Sequence, residues 1–319
     1  MKQGVVTITL NPSIDETVEI SGFSIDRVNR VESSHRHAGG KAVNAARMLA
    51  EIGGITPITA VGFMGQDNDA IFRDMFQRHG IEDRFIRIPG VTREGIKIID
   101  SVQRTTTEIN YPGSPVPEDI IPRLFELVRE LAETRELFII SGSLPPGVPS
   151  DIYHQLIREI KSYNCRVILD AADDALKIAV SGNSDAPRPD AIKPNITEME
   201  DLVGARIESP ADALRHGREL LDAGIMLIVS LGSEGAVFAD SSTRLHAQPP
   251  KIDAISTVGA GDSMVAGIAQ GMLQGDSLEE IARNATALSA HTVGYIVPRI
   301  HDHAELEQTR QKVVISPLG

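Results

Sequence analysis

The segment TVGAGDS, residues 257–263, stands between an extended stretch and an apolar helical pattern. Gly259, Ala260 and Gly261 let the backbone approach a ligand closely, and the first amides of the following helix have no partner within it. These donors and the helix dipole favour an anion, such as a phosphoryl group gathering charge in its transition state. Asp262, in the first turn, could accept a hydroxyl proton. A plain Gly-rich helix start with a favourable acid is the structural alternative.

Two other phosphate-binding patterns are excluded. A Walker loop needs Ser or Thr after its lysine, but Gly40-Lys41 is followed by Ala42, and His35 occupies the place of the first glycine. A dinucleotide fingerprint starting at the glycines of GAGD would need a third glycine where Met264 stands.

A second Gly-rich turn, AGGKAVN at residues 38–44, also leads into a helical pattern. Gly39 and Gly40 allow close contact with a ligand, Lys41 could hold an anion, and Asn44 could bond to sugar hydroxyls. A tight turn with a solvated lysine is the structural alternative.

An acid follows the first strand in the segment NPSID, where Asp15 could accept hydrogen bonds from two sugar hydroxyls. The structural alternative is a loop without a binding role, in which an acid often follows an Asn-Pro turn. The basic residues outside regular helices that could bind a substrate phosphate are Arg27, Arg30, Lys41 and Arg93. The first two are more typical of solvated loop charges.

Two further segments follow strands in the second half of the chain. The pattern KPNxxE contains Lys193, Asn195 and Glu198, and its amide and carboxylate oxygens suit magnesium or a magnesium-bound phosphate. Ordinary capping of a helix start would explain the same residues. The segment SLGSEG, with Ser230 and Gly232, precedes a hairpin and would suit the wall of a nucleotide site.

The elements that must position these segments alternate between strand and helix. Apolar runs such as Val5 to Leu10, Ile58 to Val61 and MLIVSLG are separated by helical patterns, which predicts an α/β fold with a mostly parallel sheet and helices on both faces. Between Gly95 and Tyr111 the pattern is instead that of a hairpin. With the stretches at 16–20 and 28–31, this hairpin could form a small separate sheet.

Composition limits the classes of function. The 319 residues are 41% hydrophobic and 24% charged, as in soluble globular proteins, and no apolar run reaches membrane-helix length. A formal net charge of −13 argues against nucleic acid or an anionic membrane as partner. The N-terminus lacks the pattern of a secretion signal, and the lone Cys165 fits a reducing compartment, so we expect a cytoplasmic protein.

The order of these motifs resembles that of the ribokinase-like sugar kinases of the phosphofructokinase-B family, over nearly the whole chain. The motifs are NPSID, AGGKAVN, TR, SGSLPPG, KPN with Glu198, SLGSEGA and STVGAGDSM. The resemblance implies one domain over residues 1–319, a three-layer αβα sandwich with a β lid formed by about 12–36 and 93–112. It also implies ATP and Mg2+ as co-substrates, a sugar phosphate as acceptor, and a homodimer joined through the lids.

The resemblance also implies roles for individual positions. Asp262 corresponds to the base, and the Gly259, Ala260 and Gly261 segment corresponds to the anion hole. The sugar phosphate would face Asp15, Gly39, Gly40, Lys41, Asn44 and Arg93. The nucleotide would lie against Lys193, Asn195, Ser230, Gly232, Thr257, Gly259, Gly261 and the region of Asn284, with Asn195 and Glu198 serving magnesium.

Within the family the chain looks most like the branch of 1-phosphofructokinases, tagatose-6-phosphate kinases and minor 6-phosphofructokinases. The stretch TTTEINYPG and the lysine of AGGKAVN favour fructose 1-phosphate as acceptor and fructose 1,6-bisphosphate as product. Ala42 and Gly95 depart from the family's pattern where the substrate's phosphate end would lie, so tagatose 6-phosphate and fructose 6-phosphate remain alternatives. A regulator that binds a sugar phosphate without catalysis is the remote alternative.

Overall fold

The computed structural model describes residues 2–181 and 186–318, in which strands and helices alternate along most of the chain. The strands are β1 (Val5–Thr9), β2 (Ser13–Glu19), β3 (Ser33–Gly39), β4 (Ile58–Gly65), β5 (Glu82–Asp83), β6 (Ile86–Ile88), β7 (Arg93–Asp100), β8 (Thr105–Asn110), β9 (Leu137–Ser141), β10 (Arg166–Asp170), β11 (Ala191–Ile192), β12 (Met226–Ser230), β13 (Ala236–Ala239), β14 (Arg244–Gln248) and β15 (Val314–Pro317). The helices are α1 (Lys41–Ile52), α2 (Ala70–His79), α3 (Ile121–Ala132), α4 (Ile152–Ser162), α5 (Asp173–Val180), α6 (Ile196–Val203), α7 (Pro210–His216), α8 (Arg218–Asp222), α9 (Ala260–Gln274), α10 (Leu278–Val293) and α11 (His303–Lys312).

The central sheet has eleven strands and is mostly parallel, as the alternation of elements predicted. Its order is β15-β14-β13-β12-β11-β10-β9-β1-β4-β5, with β6 paired to β4. The strands from β12 to β5 run parallel, and β13, β14 and β15 add an antiparallel edge. The α/β fold class is therefore confirmed.

The apolar strands form because both faces of this sheet are covered. Every residue of β1 and β9 is buried, which is typical of parallel strands between two helical layers. Successive residues of β1 point to opposite faces, so that Val5 and Val6 belong to two different hydrophobic clusters. The first cluster includes Leu49 of α1 and Ile268 of α9, and the second includes Leu156 of α4. In the described part of the chain, none of the helices is long and apolar enough to span a membrane.

A separate small sheet consists of β3, β2, β7 and β8 in that order. Strand β2 runs parallel to β7, and β7 forms the predicted hairpin with β8. The prediction of a strand near 28–31 is wrong, since Val28 and Val31 lie in an exposed connection and the strand begins at Ser33. That strand, SSHRHAG, pairs with β2 through its backbone at the edge of the sheet, where apolar side chains are not required.

Helices α1 and α9 pack against each other on one face of the central sheet. Helix α1 follows the turn Gly39-Gly40, and α9 follows the segment ending at Gly259, as the two Gly-rich patterns predicted. The packing therefore brings the N-termini of both helices to the same place, although their sequences lie far apart in the chain.

Candidate active site

A cavity of about 1770 Å³ lies where the parallel strands β9, β10, β11 and β12 end, the usual place for a ligand in an open α/β sheet. The small sheet contributes its wall on one side. The predicted site residues that line the cavity are Asp15, Gly40, Lys41, Asn44, Arg93, Lys193, Asn195, Glu198, Ser230, Gly232, Thr257, Gly259, Ala260, Gly261 and Asp262.

Asp262 lies in the first turn of α9 and is nearly buried. Its Oδ2 accepts a hydrogen bond from Nδ2 of Asn44 at 2.7 Å. Burial raises the pKa of Asp262, as does the nearby charge of Asp170, whereas Lys41 and the Asn44 amide oppose this shift. A carboxylate that is more basic than usual is suited to accept a proton from a hydroxyl group.

The backbone around Asp262 has the form of an anion site. Gly259 takes the left-handed conformation, with φ 75° and ψ 0°, and so turns the chain into α9. The first amides of the helix then face the cavity without intrahelical partners. A Cβ placed on Gly261 would lie 3.4 Å from Nζ of Lys193, so the ammonium group lies beside these amides. Fixed donors and a cation together can stabilise charge on a transferring phosphoryl group.

Asp170 joins Lys41 and Lys193, two of the lysines that line the cavity, and was not predicted as a site residue. It is fully buried at the end of β10, with Lys193 Nζ at 3.2 Å, Lys41 Nζ at 3.4 Å and the Ser141 hydroxyl donating at 2.8 Å. Burial alone would raise the pKa of Asp170, but Lys193 and Lys41 lower it to about 2. Asp170 thus stays charged and holds both ammonium groups in place.

The KPNxxE segment forms a capping box at the start of α6. Asn195 Oδ1 accepts from the Glu198 amide, and Glu198 Oε2 accepts from the Asn195 amide, both at 2.8 Å. The alternative prediction for this segment, ordinary capping of a helix start, is therefore confirmed. Asn195 and Glu198 also line the cavity. Oε1 of Glu198 lies 3.9 Å from Nζ of Lys41.

Asn195 and Glu198 fit magnesium only as an ion that a phosphate of the substrate also binds. Among the described residues, no group of three or more His, Cys, Asp and Glu side chains could enclose a metal. Mg2+ is commonly held by one or two carboxylates together with phosphate oxygens and water. Glu198, whose Oε1 is not used in the capping box, meets that requirement.

The wall of the cavity that the resemblance assigns to the sugar phosphate is built on the small sheet. Asp15 of β2 accepts hydrogen bonds from Ser13 Oγ and Lys97 Nζ, each at 2.6 Å, and both Asp15 and Lys97 are buried. Arg93 donates to the carbonyl oxygens of Asn11 and Tyr111 at 3.3 and 3.1 Å. Lys97 is a second cavity residue that was not predicted.

The wall that the resemblance assigns to the nucleotide is formed by two segments that adjoin in space. The backbone of Asn195 bridges to Ser230, and the Ser230 amide donates to the Pro194 carbonyl at 3.0 Å. This contact places the KPN and SLG segments side by side, and Thr257 lines the same cavity.

Two predicted residues do not line the cavity. Asn284 lies on α10 and accepts a hydrogen bond from Arg310, so its side chain belongs to a contact between α10 and α11. Gly39 lies behind Asp15, where a Cβ would come within 2.5 Å of the carboxylate. Its missing side chain makes room for Asp15 but does not contact the cavity.

The chain is similar to carbohydrate kinases in sequence and in fold. The family model described as "pfkB family carbohydrate kinase" matches residues 8–300. Curated 1-phosphofructokinases of Vibrio cholerae and Rhodobacter capsulatus are 35% and 36% identical, over 100% and 98% of this chain and 98% of each relative. The crystal structure of phosphofructokinase-2 from Escherichia coli, in complex with potassium, is similar with a TM-score of 0.87 and 28% identity, over 97% of this chain and 98% of that chain.

Proposed function

This chain belongs to the pfkB family of carbohydrate kinases, and we propose that it transfers the γ-phosphoryl group of ATP to fructose 1-phosphate, giving fructose 1,6-bisphosphate. The membership confirms the resemblance drawn from the motif order. The choice of acceptor is supported by curated 1-phosphofructokinases that match over 91% to 98% of their length.

The observation that carries the proposal is that the Asp262 segment contacts two groups of residues lining one cavity, since Asp262 accepts from Asn44 and the adjacent Gly261 lies beside Lys193. On one side lie Asp15, Lys97 and Arg93, which can bond to sugar hydroxyls and a phosphate. On the other side lie Lys193 and the segment at Ser230, which can hold a nucleotide. A base placed between acceptor and donor is the arrangement that phosphoryl transfer requires.

In the proposed reaction the 6-hydroxyl of the sugar lies against Asp262, which accepts its proton as the oxygen attacks the γ-phosphorus of ATP. The bond from that phosphorus to the β–γ bridging oxygen breaks, and ADP leaves with the electron pair. The amides of the first turn of α9 and the Lys193 ammonium stabilise the charge on the transferred group. Magnesium, when bound, would neutralise phosphate charge, and we propose Glu198 as the residue that holds it, with Asn195 keeping Glu198 in place through the capping box.

We further propose a cytoplasmic homodimer joined through the small sheet. Ile25 and Val28, in the connection between β2 and β3, are 89% and 86% exposed, and Ile109 of β8 is 48% exposed. Exposed apolar side chains on and beside the small sheet are suited to contact a second copy of that sheet. Val28→Asp should lower the molar mass measured by light scattering, whereas an unchanged mass would contradict this interface.

The experiment that tests the proposed function is a coupled ADP-release assay with fructose 1-phosphate, fructose 6-phosphate, tagatose 6-phosphate and fructose as acceptors. We expect the highest kcat/KM with fructose 1-phosphate, and phosphorus NMR should identify the product as a 1,6-bisphosphate. A higher kcat/KM with another acceptor would overturn the choice of substrate. Thermal stabilisation by a sugar phosphate with no ADP formed from any acceptor would indicate a binding regulator instead.

A further inference from the structure

Arg47 is a buried cation that lies just outside the cavity. It stands one turn after Asn44 on α1 and is 6% exposed. Burial lowers the pKa of its guanidinium group, while Glu51, Asp262 and Asp15 oppose that shift. A charge is costly to bury, so its contacts indicate what it does.

The main contact of Arg47 is with the loop between α10 and α11. One guanidinium nitrogen donates to the carbonyl oxygen of Pro298 at 2.7 Å, and its Nε has no partner among the described residues. Glu51, one turn further along α1, accepts a hydrogen bond from the Ile300 amide at 2.7 Å. Helix α1 therefore holds this loop at two points.

The same loop packs against the start of the anion site. A Cβ placed on Gly259 would come within 2.6 Å of Cγ and 2.7 Å of Cβ of Pro298, so the proline ring lies directly on this glycine. The preceding residues are tied to the same region, because the amides of Ile255 and Ser256 donate to the Val293 carbonyl at 2.8 and 3.1 Å.

Helix α1 thus reaches both sides of the GAGD segment. Asn44 bonds to the carboxylate of Asp262, and Arg47, through Pro298, supports the backbone of Gly259. We propose that Arg47 is a positioning residue, which keeps the Pro298 ring on Gly259 and so fixes the first amides of α9 where charge develops on the phosphoryl group. This inference rests on the proposed function.

The test compares Arg47→Met, Arg47→Lys, Pro298→Ala and the double variant Arg47→Met/Pro298→Ala with wild type. Donors that act on the transition state change kcat more than KM, so we expect kcat of Arg47→Met and Pro298→Ala to fall by about 10- to 100-fold. Both KM values should stay within about threefold. Arg47→Lys keeps the charge and one donor and should recover part of the loss, and the double variant should be no worse than about twice the poorer single variant.

Hydrogen exchange of the amides in residues 255–263 gives a readout that does not depend on turnover. We expect faster exchange there in Arg47→Met and in Pro298→Ala. The matched control is Arg166→Met, since Arg166 also donates to a backbone carbonyl, that of Met272, and pairs with Glu136 away from the cavity. It should lower the melting temperature without changing kcat or the exchange of this segment.

Three outcomes would overturn the inference. They are an unchanged kcat in correctly folded Arg47→Met, decreases in kcat that multiply in the double variant, and unchanged hydrogen exchange of residues 255–263. If Arg47→Met does not fold, Pro298→Ala still tests the inference by kcat and exchange, because it keeps the carbonyl that accepts from Arg47 and removes the ring that lies on Gly259. If wild type phosphorylates no acceptor, the proposed function fails, whereas the contact is still tested by exchange.

Discussion

The side-chain amide of Asn44 lies 2.7 Å from the carboxylate of Asp262, although 218 positions separate the two residues in the chain. Asn44 belongs to the first Gly-rich turn and Asp262 to the second, so this hydrogen bond joins the sugar-facing and phosphoryl-facing segments. Since the amide donates to the ionised carboxylate, it both orients Asp262 and stabilises its charged form.

Asp262→Asn should remove the base and lower kcat by at least about 10²- to 10⁴-fold, the usual contribution of a general base. The Kd for ATP, measured by calorimetry, should stay within about threefold. A decrease in kcat of less than tenfold would contradict the assignment of the base.

The same substitution should leave the melting temperature at pH 7–8 unchanged or higher. Burial raises the pKa of Asp262, so the folded state binds this proton more tightly than the unfolded state does. Its contribution to stability is therefore lost as pH rises through the raised pKa, and the ionised group destabilises the fold above it. Asn carries no charge and removes this penalty, as thermal unfolding of the two proteins across pH would show.

Asn44→Ala should move the acidic limb of the kcat profile to higher pH. The amide lowers the pKa of Asp262, so its loss leaves burial and the charge of Asp170 to raise that pKa further. Profiles of kcat over about four pH units around neutrality would measure the shift. Gln155→Ala is a matched control because Gln155 donates to the Asp151 carboxylate at 3.0 Å on α4, and its profile should equal that of wild type. Coincident profiles for Asn44→Ala and wild type would contradict the role of this hydrogen bond.

Asp170→Asn should lower the free energy of unfolding at pH 7 by about 3–5 kcal/mol, because it leaves the buried Lys193 without its partner. The pKa of Asp170 is lowered to about 2, so its stabilising effect is present above the ordinary value of about 3.9 and is lost as pH falls toward 2. Urea unfolding should therefore show a smaller difference in the free energy of unfolding between Asp170→Asn and wild type at about pH 3 than at about pH 7.

The control for this prediction is Asp222→Asn, which removes a partner of Arg218 from an exposed ion pair on α8. Such pairs contribute about 0–1 kcal/mol, so the two substitutions should differ clearly in urea unfolding. Equal effects at positions 170 and 222 would mean that the buried lysines do not depend on Asp170.

Lys97→Met should raise KM for the sugar phosphate by about tenfold or more, while KM for ATP changes by less than about twofold. The substitution leaves Asp15 buried without its ionic partner and removes a donor from the sugar side of the cavity. Lys161→Met serves as the control, since Lys161 pairs with Asp190 at 2.8 Å outside the cavity, and both KM values should stay unchanged. Equal increases in both KM values for Lys97→Met would contradict its place beside the sugar.

The sequence was most informative where a local pattern has one structural solution. Continuous apolar runs such as β1 can only be strands buried on both faces, and Gly-rich turns before apolar helices gave the positions of Gly40 and Gly259. It was least informative for β3, because this strand has polar side chains with no apolar alternation and is held by backbone hydrogen bonds to β2.

Asp170 and Lys97 could not be identified because their partners are distant in sequence. Asp170 lies 129 positions from Lys41, and Lys97 lies 82 positions from Asp15. A weak signal existed for Asp170, since an acid at the end of a buried strand is expensive unless it is paired. Lys97, in a hairpin pattern, could not be told from a solvated lysine.

The division of the cavity between two sheets has a consequence for how such an enzyme can evolve. Asp15, Arg93, Lys97 and Asn110 belong to the small sheet, whereas Asp262 belongs to a helix packed on the central sheet. In the proposed reaction, substitutions in the small sheet would therefore alter which acceptor is chosen while the residues proposed to handle the phosphoryl group stay as they are. During evolution, the acceptor specificity of such an enzyme could then change through the small sheet alone, while the residues proposed for phosphoryl transfer are retained.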